Sequence, residues 1–467
     1  MTAPATPGDD TGPRLLGANR SELRQLFELA VPLAAQQLGF QLMGNVDAAM
    51  LGHHTQASLA AAGVGNTLLF AISSVGMGLV MGADSVIPRA IGAGRHDDAR
   101  RSLGAAIRIA FASGLVLVAL VVASPYLLSV IHVDPQVAAE ARTYTQLRAI
   151  GIIPFLLSIA LRSYLAARDV TRPLIVAVVG ANLANAALDL VLIFGVPALG
   201  IPAMGVAGAA IATVTVQILS VLVYVAAVRS LDTGRPVQRP RRADILEILK
   251  FGGPVAGQLL AEIGIFGVAT LLAAYLGTIP AAAHSIALNL SSFTFSAAVG
   301  IGSATSVRVG QAIGAGNLGL ARRRGVIGLE LGALTMGACS IAFIAIPATI
   351  AGLFTTDVAV IAATIPLLQI ASAFQLFDGT QAIAAGALRG IGDTRSTLVG
   401  NAIGHYVIGL PISLALAFHF AQGTPGIWWG LSAGLLGTAS YLVWRLMAIT
   451  RSPRAAGPTG REPAPHG

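Results

Sequence analysis

The residues Ala90-Ile91-Gly92-Ala93-Gly94 recur as Ala312-Ile313-Gly314-Ala315-Gly316, 222 positions further along the chain. Other pairs of residues keep nearly the same offset: Ala99-Arg100-Arg101 with Ala321-Arg322-Arg323, Pro32 and Gln36 with Pro254 and Gln258, and Thr171-Arg172 with Thr394-Arg395. Chance does not hold one register over so many positions. The sequence therefore predicts an internal duplication, in which the two halves of the chain share one fold.

Composition places this duplicated chain in a membrane. Of its 467 residues, 55% are hydrophobic and only 11% are charged, whereas soluble proteins average about 25% charged residues. These values exclude an ordinary cytosolic enzyme, a disordered protein and a soluble nucleic-acid-binding protein. The single cysteine, Cys339, excludes a disulfide framework and a thiolate zinc cluster.

The apolar segments predict an all-α polytopic protein with twelve membrane spans, since a bilayer core takes about 20 apolar residues per helix. The segments lie at 25–49, 57–85, 103–125, 138–166, 171–194, 205–228, 247–275, 281–307, 325–347, 361–388, 396–418 and 427–448. Six spans per half return the chain to the same side of the membrane. The halves are therefore expected to be parallel repeats about an axis along the membrane normal.

The predicted domains are a disordered tail (1–22), an N-lobe (23–229), a linker (230–246), a C-lobe (247–449) and a second disordered tail (450–467). With a cytoplasmic amino terminus, 27 of the 29 Lys and Arg residues fall on cytoplasmic segments, and only Arg142 and Arg148 do not. By the positive-inside rule, both termini and both tails are predicted to be cytoplasmic. The basic residues thus indicate topology, and no nucleic-acid partner is expected.

Four acidic residues lie deep inside predicted spans, where an ionisable group is costly and usually functional. Each shares a helix face with other polar residues. Asp47 lies three turns from Gln36, Asp189 follows Asn182 and Asn185, Glu262 follows Gln258, and Asp378 lies between Gln375 and Gln381 beside Phe374. A structural role is the alternative for each acid. Four together favour reversible binding of H⁺ or Na⁺ and attraction of a cationic organic substrate.

Other polar and aromatic residues receive simpler interpretations. Asp84 is predicted to pair with Arg89 near a helix end, and the doubled glycine turn to lead into a short amphipathic helix. His405 is interpreted as a core histidine whose hydrogen bonds are satisfied. Trp428 is interpreted as an anchor at the membrane surface.

The two sixfold repeats, the doubled turn and the stretch Asp378–Arg395 resemble the multidrug and toxic compound extrusion (MATE) transporters, over about residues 25–450. The resemblance implies two lobes around a central cavity and alternating access driven by H⁺ or Na⁺. Asp47, in Asn45-Val46-Asp47, matches the first-helix acid of the family. Glu262 and Asp378 match C-lobe acids of the NorM-type branch, implicated there in cation binding. Asn185 and Asp189 match an N-lobe pair of the DinF-type branch, implicated there in proton-linked rearrangement.

The sequence therefore predicts an antiporter of the bacterial inner membrane that exports cationic or amphipathic compounds in exchange for H⁺ or Na⁺. No enzymatic activity, cofactor or resident metal is expected, apart from a possible Na⁺ at Glu262 and Asp378. The expected partners are small-molecule substrates and membrane lipids, and one chain, holding both lobes, is expected to suffice. The alternatives are a flippase for a lipid-linked saccharide, which would need arginine in its cavity, an intramembrane transferase or hydrolase, and a non-transporting scaffold.

Overall fold

A computed structural model of the chain describes residues 13–129, 134–233 and 239–451. Twelve long helices account for most of them. The first six form the N-lobe: α1 (Pro13–His54), α2 (Gln56–Gly92), α3 (His96–Ala123), α4 (Pro135–Ala149 and Ile152–Ala167), α5 (Arg172–Phe194) and α6 (Val206–Leu231). The other six form the C-lobe: α7 (Arg242–Tyr275), α8 (Thr278–Gly314), α9 (Leu318–Ala345), α10 (Val358–Ile391), α11 (Thr394–His419) and α12 (Thr424–Arg451).

The helices confirm the predicted polytopic fold. Within the described ranges, nine helices are long and apolar enough to cross a membrane, and the two segments of α4, bent by 42°, together make a tenth. The other two, α1 and α12, contain 42 and 28 residues. Eight of the twelve predicted spans fall entirely within one of these helices, and the other four (103–125, 171–194, 205–228 and 325–347) extend one or two residues past a helix end.

The helices extend past the predicted limits of the tails and the linker. Residues 13–22 belong to α1, although the sequence assigned them to a tail. The segment between the lobes runs only from the end of α6 at Leu231 to the start of α7 at Arg242. Residues 1–12, 234–238 and 452–467 lie outside the described residues, so the predicted disorder of the tails stays a prediction.

The repeated glycine turns have the same geometry in both halves. Gly94 and Gly316 adopt φ values of 72° and 73°, in the left-handed region that glycine enters without strain. The amide of Ala93 bonds to the carbonyl oxygen of Arg89, as the amide of Ala315 does to that of Gln311, each over 3.0 Å. Each turn leads directly into a long helix, α3 or α9. The predicted short amphipathic helix is therefore wrong.

The duplication also appears where the lobes meet. A Cβ atom on Gly78 of α2 would strike Ala256 of α7, and a Cβ atom on Gly300 of α8 would strike Ala34 of α1. The two contacts are related by the 222-residue offset. The same is true of Gly92 against Gln311 and of Gly314 against Arg89. The lobes thus pack through a self-complementary, pseudo-twofold interface, at which small residues allow close backbone contact.

Ion pairs cluster at one end of the molecule, which we call the basic end: the starts of the odd-numbered helices and the ends of the even-numbered ones. Arg324 of α9 binds Glu22 of α1 through two bonds of 2.7 and 3.2 Å. Arg308 of α8 lies 3.2 Å from Asp169, which follows α4. These pairs join one lobe to the other at the basic end.

Asp84 does not pair with Arg89 as predicted. Its carboxylate lies 3.6 Å from Arg389 of the other lobe, and both side chains are nearly buried. The Arg89 guanidinium instead lies over the Phe251 ring, 4.8 Å from its centroid. The prediction chose Arg89 because it is near Asp84 in the sequence, whereas packing between the lobes places Arg389 beside Asp84.

Candidate functional site

Three helices of the N-lobe bring their polar side chains together inside the lobe. Asp47 comes from α1, Asn185 and Asp189 from α5, and Thr213 from α6. All four side chains are buried, with residue exposures of 3% or less. The spacing of Asn185 and Asp189, four residues apart, places both on the face of α5 that packs against α1. We call these four residues the N-lobe cluster.

Hydrogen bonds join the N-lobe cluster around the two carboxylates. The Asn185 amide donates to Asp47 and to Asp189, over 2.6 Å in each case. The Thr213 hydroxyl lies 2.9 Å from the second oxygen of Asp47. One oxygen of Asp189 has no partner among the described residues. Two carboxyl groups that share a buried site are poorly placed to ionise together, so the geometry suits binding of one cation or proton.

Gln36 lies on the same face of α1 as Asp47, as predicted, but contacts a different part of α6. Its side-chain amide donates to the Tyr224 hydroxyl over 2.9 Å. Gln36 and Asp47 are eleven residues apart, and so are their α6 partners Tyr224 and Thr213. Gln36 therefore fixes the register of α1 against α6 without touching the acids.

Two predicted supporting residues lie outside the cluster. Asn45 is exposed, because two residues along a helix correspond to a rotation of about 200° from Asp47. Asn182 bonds to the carbonyl oxygen of Val178 in its own helix, over 2.8 Å. The structure brings neither side chain to the acids.

The C-lobe contains a second polar group, built from α7, α10 and α11. Glu262 accepts hydrogen bonds from Gln258 over 3.0 Å and from Gln381 over 2.7 Å. Gln381 also lies 3.2 Å from the side-chain oxygen of Asn401. Gln258 and Glu262, which were predicted to share a helix face, are thus connected to Gln381, which was predicted only as a neighbour of Asp378. We call these residues, with Asn401 and Asp378, the C-lobe cluster.

Asp378 lies about one turn from Gln381 on α10 and is within electrostatic range of Glu262. It is 8% exposed, and no hydrogen bond to it is found in the described part of the chain. Gln375, about one turn before Asp378 in α10, is 2% exposed, and both its side-chain polar atoms lack partners among the described residues. Unsatisfied buried polar atoms at this density are unusual in a native protein. They mark this part of the C-lobe cluster as able to accept a ligand or ion.

An aromatic layer covers the C-lobe cluster on the side away from the basic end. The Phe266 ring packs edge-on against Phe374 at 6.2 Å and lies 6.3 Å from the His405 ring. His405 is buried, and neither of its ring nitrogens has a partner in the described chain. The prediction of a satisfied core histidine is therefore wrong.

Trp428 belongs to the same layer and is not a surface anchor. It is 1% exposed, packs 5.2 Å from Phe374, and donates from its indole nitrogen to His284 over 3.2 Å. Its position at the start of α12 resembled that of an interfacial tryptophan. The neighbouring Trp429 is 48% exposed, so only one of two adjacent residues can face the lipid.

Arg148 is a half-buried cation, which was interpreted from the sequence only as an exception to the topology. It lies in α4 just before the bend at Ala149–Ile152, with its guanidinium 5.9 Å from the centroid of the Tyr144 ring. Two of its nitrogen atoms have no partner among the described residues. Arg148 interacts electrostatically with Asp189. The available signal was a basic residue at the eleventh position of the predicted span 138–166.

The two acidic clusters are not related by the duplication. Asp47 follows Pro32 by fifteen residues, whereas Glu262 follows the equivalent Pro254 by only eight. At 1.5 Å per residue, the N-lobe acid lies about 10 Å further from the basic end. The halves share a backbone fold but carry different sites. No group of three or more His, Cys, Asp and Glu side chains suited to a metal ion occurs in the described ranges.

The MatE family model matches the chain twice, over residues 32–191 and 254–415. The chain is 34% identical, over 440 residues, to a probable multidrug resistance protein NorM of Bradyrhizobium diazoefficiens, covering 92% of this chain and 94% of that relative. It is 35% identical, over 427 residues, to a probable multidrug resistance protein NorM of Pseudomonas aeruginosa, covering 89% and 87%.

Two solved structures share the fold. The eukaryotic MATE transporter AtDTX14 is similar with a TM-score of 0.84 at 22% identity, over 92% of this chain and 96% of that one. A multidrug resistance MATE family transporter of the MOP superfamily, in an outward-facing conformation, is similar with a TM-score of 0.83 at 19% identity, over 92% and 97%. The predicted resemblance and the two-lobe fold are thus confirmed.

Proposed function

The chain belongs to the MatE family, and from that premise we propose that it exports cationic or amphipathic organic compounds in exchange for H⁺ or Na⁺. It is a multi-pass multidrug efflux transporter and not an enzyme, and it acts on small molecules. The observation that carries the proposal on ion coupling is the presence of a buried acidic cluster in each lobe.

In the N-lobe, Asp47 and Asp189 would alternate between sharing a proton and losing it. When the proton leaves, the second negative charge is costly inside the lobe. Arg148, with two unpartnered nitrogen atoms and an electrostatic interaction with Asp189, would supply the compensating charge. Because α4 bends immediately after Arg148, movement of this side chain toward the acids would be coupled to the shape of the lobe.

In the C-lobe, Glu262 and Asp378 would bind the coupling cation or the cationic part of a substrate. The amide N–H groups of Gln258 and Gln381 donate to Glu262. The carboxylates of Glu262 and Asp378 would supply oxygen, the ligand type that a hard cation such as Na⁺ prefers. Two carboxylates cannot hold both ligands with full affinity. Ion binding would therefore favour substrate release, and ion loss would restore the site for a new substrate.

We assign the basic end to the cytoplasm of a bacterial inner membrane, with both termini there, following the positive-inside rule. The interlobe contacts at Gly78, Gly300, Arg324 and Asp84 lie in the half of the molecule nearer this end. This arrangement supports a conformation closed to the cytoplasm and open to the outside.

The test is transport of a fluorescent cation, ethidium, in proteoliposomes with separately imposed pH and Na⁺ gradients. We expect Asp47→Asn, Asp189→Asn, Glu262→Gln and Asp378→Asn each to lower gradient-driven transport at least tenfold. Glu28→Gln is the control, because Glu28 is an exposed acid of α1 that pairs with its neighbour Arg24, and it should stay within twofold of wild type. Wild-type rates in all four acid variants would refute the proposal.

A further inference from the structure

A groove of about 460 Å³ lies at the basic end, between the start of α1 in the N-lobe and the start of α9 in the C-lobe. Arg20 and Leu23 of α1 form one side. Along α9 the groove is lined by Gly319, Arg322, Arg323, Val326, Ile327 and Glu330. It is separate from both acidic clusters, and the transport mechanism above makes no use of it.

The groove is amphipathic, and its polarity changes in the same direction on both helices. On α1, Arg20 precedes Leu23, and on α9, Arg322 precedes Val326 by one turn, about 6 Å. The arginines therefore lie at the end of the groove near the helix starts, and the one acid, Glu330, lies at the opposite end. The apolar residues lie further toward the centre of the molecule, and Leu23 is 44% exposed. A phospholipid has the same order, from phosphate to acyl chain.

The charges in the groove are not balanced. Arg20 and Arg322 outnumber the one acid that lines the groove, Glu330, which lies about 12 Å beyond Arg322 along α9. Neither Arg20 nor Arg322 has an ion-pair partner among the described residues. The adjacent Arg324, by contrast, is held by Glu22 at 2.7 Å and also bonds to the carbonyl oxygen of Arg308. Arg324 is thus paired between the lobes, whereas the groove retains a net positive charge through Arg20 and Arg322.

We propose that this groove binds an anionic phospholipid of the cytoplasmic leaflet, with its phosphate among Arg20, Arg322 and Arg323 and an acyl chain over Leu23 and Val326. The placement in that leaflet rests on the orientation assigned under the proposed function. Basic pockets between helices at the cytoplasmic surface are suited to anionic headgroups. A cationic substrate would be repelled by three arginines, and a soluble anion would leave the apolar half of the groove uncovered.

The position of the groove gives the lipid a defined effect. One wall belongs to each lobe, and the walls are adjacent because the lobes meet at the basic end. A lipid that contacts both walls stabilises this arrangement relative to one in which α1 and α9 separate, since a ligand shifts an equilibrium by its differential affinity for the two states.

The test is binding of phosphatidylglycerol by the delipidated full-length protein in mixed micelles, measured by native mass spectrometry, with phosphatidylcholine as the neutral comparison. Each basic residue near an anionic surface contributes about a fivefold change in affinity. The double variant Arg322→Gln, Arg323→Gln should therefore bind phosphatidylglycerol about 25-fold more weakly. Its binding of phosphatidylcholine should not change.

The control variant is Arg229→Gln, Arg451→Gln, which removes two exposed arginines at the same end of the molecule but outside the groove. It should bind phosphatidylglycerol within twofold of wild type. Equal loss in both double variants would mean that net charge alone recruits the lipid. Unchanged binding in the groove variant would mean that the lipid binds elsewhere, and either result overturns the proposal.

Glycerol phosphate at millimolar concentration distinguishes a lipid from a soluble anion. We expect it not to displace phosphatidylglycerol, and full displacement would identify the groove as a soluble phosphate site instead. Val326→Asn should weaken lipid binding without altering the arginines. Ethidium transport measured on the same preparations separates the two proposals, since lipid binding can persist where ion-coupled transport fails, and the reverse.

Discussion

The Thr213 hydroxyl is the only contact of α6 with Asp47 among the hydrogen bonds of the N-lobe cluster, which makes Thr213→Val a sharp test of that cluster. The change removes the hydroxyl with little change in side-chain volume. It leaves one Asp47 oxygen without a donor, at a cost of about 1–3 kcal/mol. We expect a lower unfolding free energy and a several-fold loss of ion-driven ethidium transport, measured in detergent melts and in proteoliposomes.

Thr215→Val provides the matched control. Thr215 lies two residues further along α6, and its hydroxyl donates only to the carbonyl oxygen of Ile211 in the same helix, over 2.7 Å. Stability and transport should stay near wild type. If both threonine variants behaved alike, the hydrogen bond to Asp47 would have no specific role.

Arg148 offers a prediction on pH dependence. In Arg148→Gln, the positive charge near Asp189 is lost, so a shared proton is bound more tightly and released less readily. The pH at which transport reaches half its maximum should therefore move upward, whereas Arg148→Lys should keep it near the wild-type value. Transport measured from pH 5.5 to 9 under a fixed Na⁺ gradient checks this. A downward shift in Arg148→Gln would contradict a compensating charge at this position.

At the residue scale, the sequence was enough to identify the buried acids but not all of the residues that form hydrogen bonds with them. Helical periodicity was enough to place Gln258 and Glu262 on one face, because both belong to α7. Thr213 and Asn401 were missed because each reaches its partner from another helix, and nothing in the local sequence of α6 or α11 indicates that contact. Asn45 was carried over from a motif and failed because its helix angle points it away from Asp47.

At the scale of elements, α11 departs most from a regular helix. Two π-helical segments, Ile403–Gly409 and Ala415–His419, flank a short α-helical segment. Such segments are rare and are often found at functional sites. No sequence pattern predicted them, because the apolar periodicity of residues 396–418 is compatible with an ordinary span.

His405 lies in the first π-helical segment and gives this element a testable property. Because both its ring nitrogens lack partners in the described chain, the side chain is expected to cost stability. His405→Leu should raise the unfolding free energy by about 1–3 kcal/mol, measured by thermal melts followed through tryptophan fluorescence. His284→Leu is the contrasting variant and should be destabilising, because His284 accepts a hydrogen bond from Trp428 and contacts Thr270 at 3.2 Å. A loss of stability in His405→Leu would mean that the ring is satisfied.

The turns between elements were more predictable than the ends of the helices. The repeated motif was predicted to form a turn, and glycine at positions 94 and 316 adopts a left-handed conformation there. The start of α1 at Pro13 was missed because the polar residues before the first apolar run resemble a tail. The next residues of α1 pack against α8 and α9 of the other lobe, for example through the ion pair of Glu22 with Arg324. No local sequence pattern indicates contacts of this kind between the lobes.

At the scale of the whole molecule, the duplication explains more of the structure than any single motif. The offset of 222 residues relates the glycine turns and also the contacts through which the lobes meet, Gly78 with Ala256 and Gly300 with Ala34. The acidic clusters do not follow this symmetry. The duplicated scaffold therefore supplies a pseudo-symmetric interface between the lobes, and the two sites that it carries differ in position and partners.

This symmetry predicts that Gly78→Leu and Gly300→Leu have the same effect. Each new side chain would strike a backbone of the opposite lobe, so the contact at the basic end should open and the cytoplasm-facing state should gain population. In a Cys339→Ser background, Ala167→Cys and Gln311→Cys report the contact, since the Gln311 side chain bonds to the Ala167 carbonyl oxygen over 3.1 Å. Cross-linking of this pair should fall about tenfold in both glycine variants.

Gly63→Leu in α2 is the control, because nothing lies within 4 Å of a Cβ atom at that position, and its cross-linking should match that of the background. We expect the lobes to separate as rigid bodies, so that opening one side of the pseudo-twofold interface also removes the contacts on the other side. The double variant Gly78→Leu, Gly300→Leu should therefore lose no more cross-linking than the single variant with the larger loss. Strictly additive losses would instead show that the two contacts open independently.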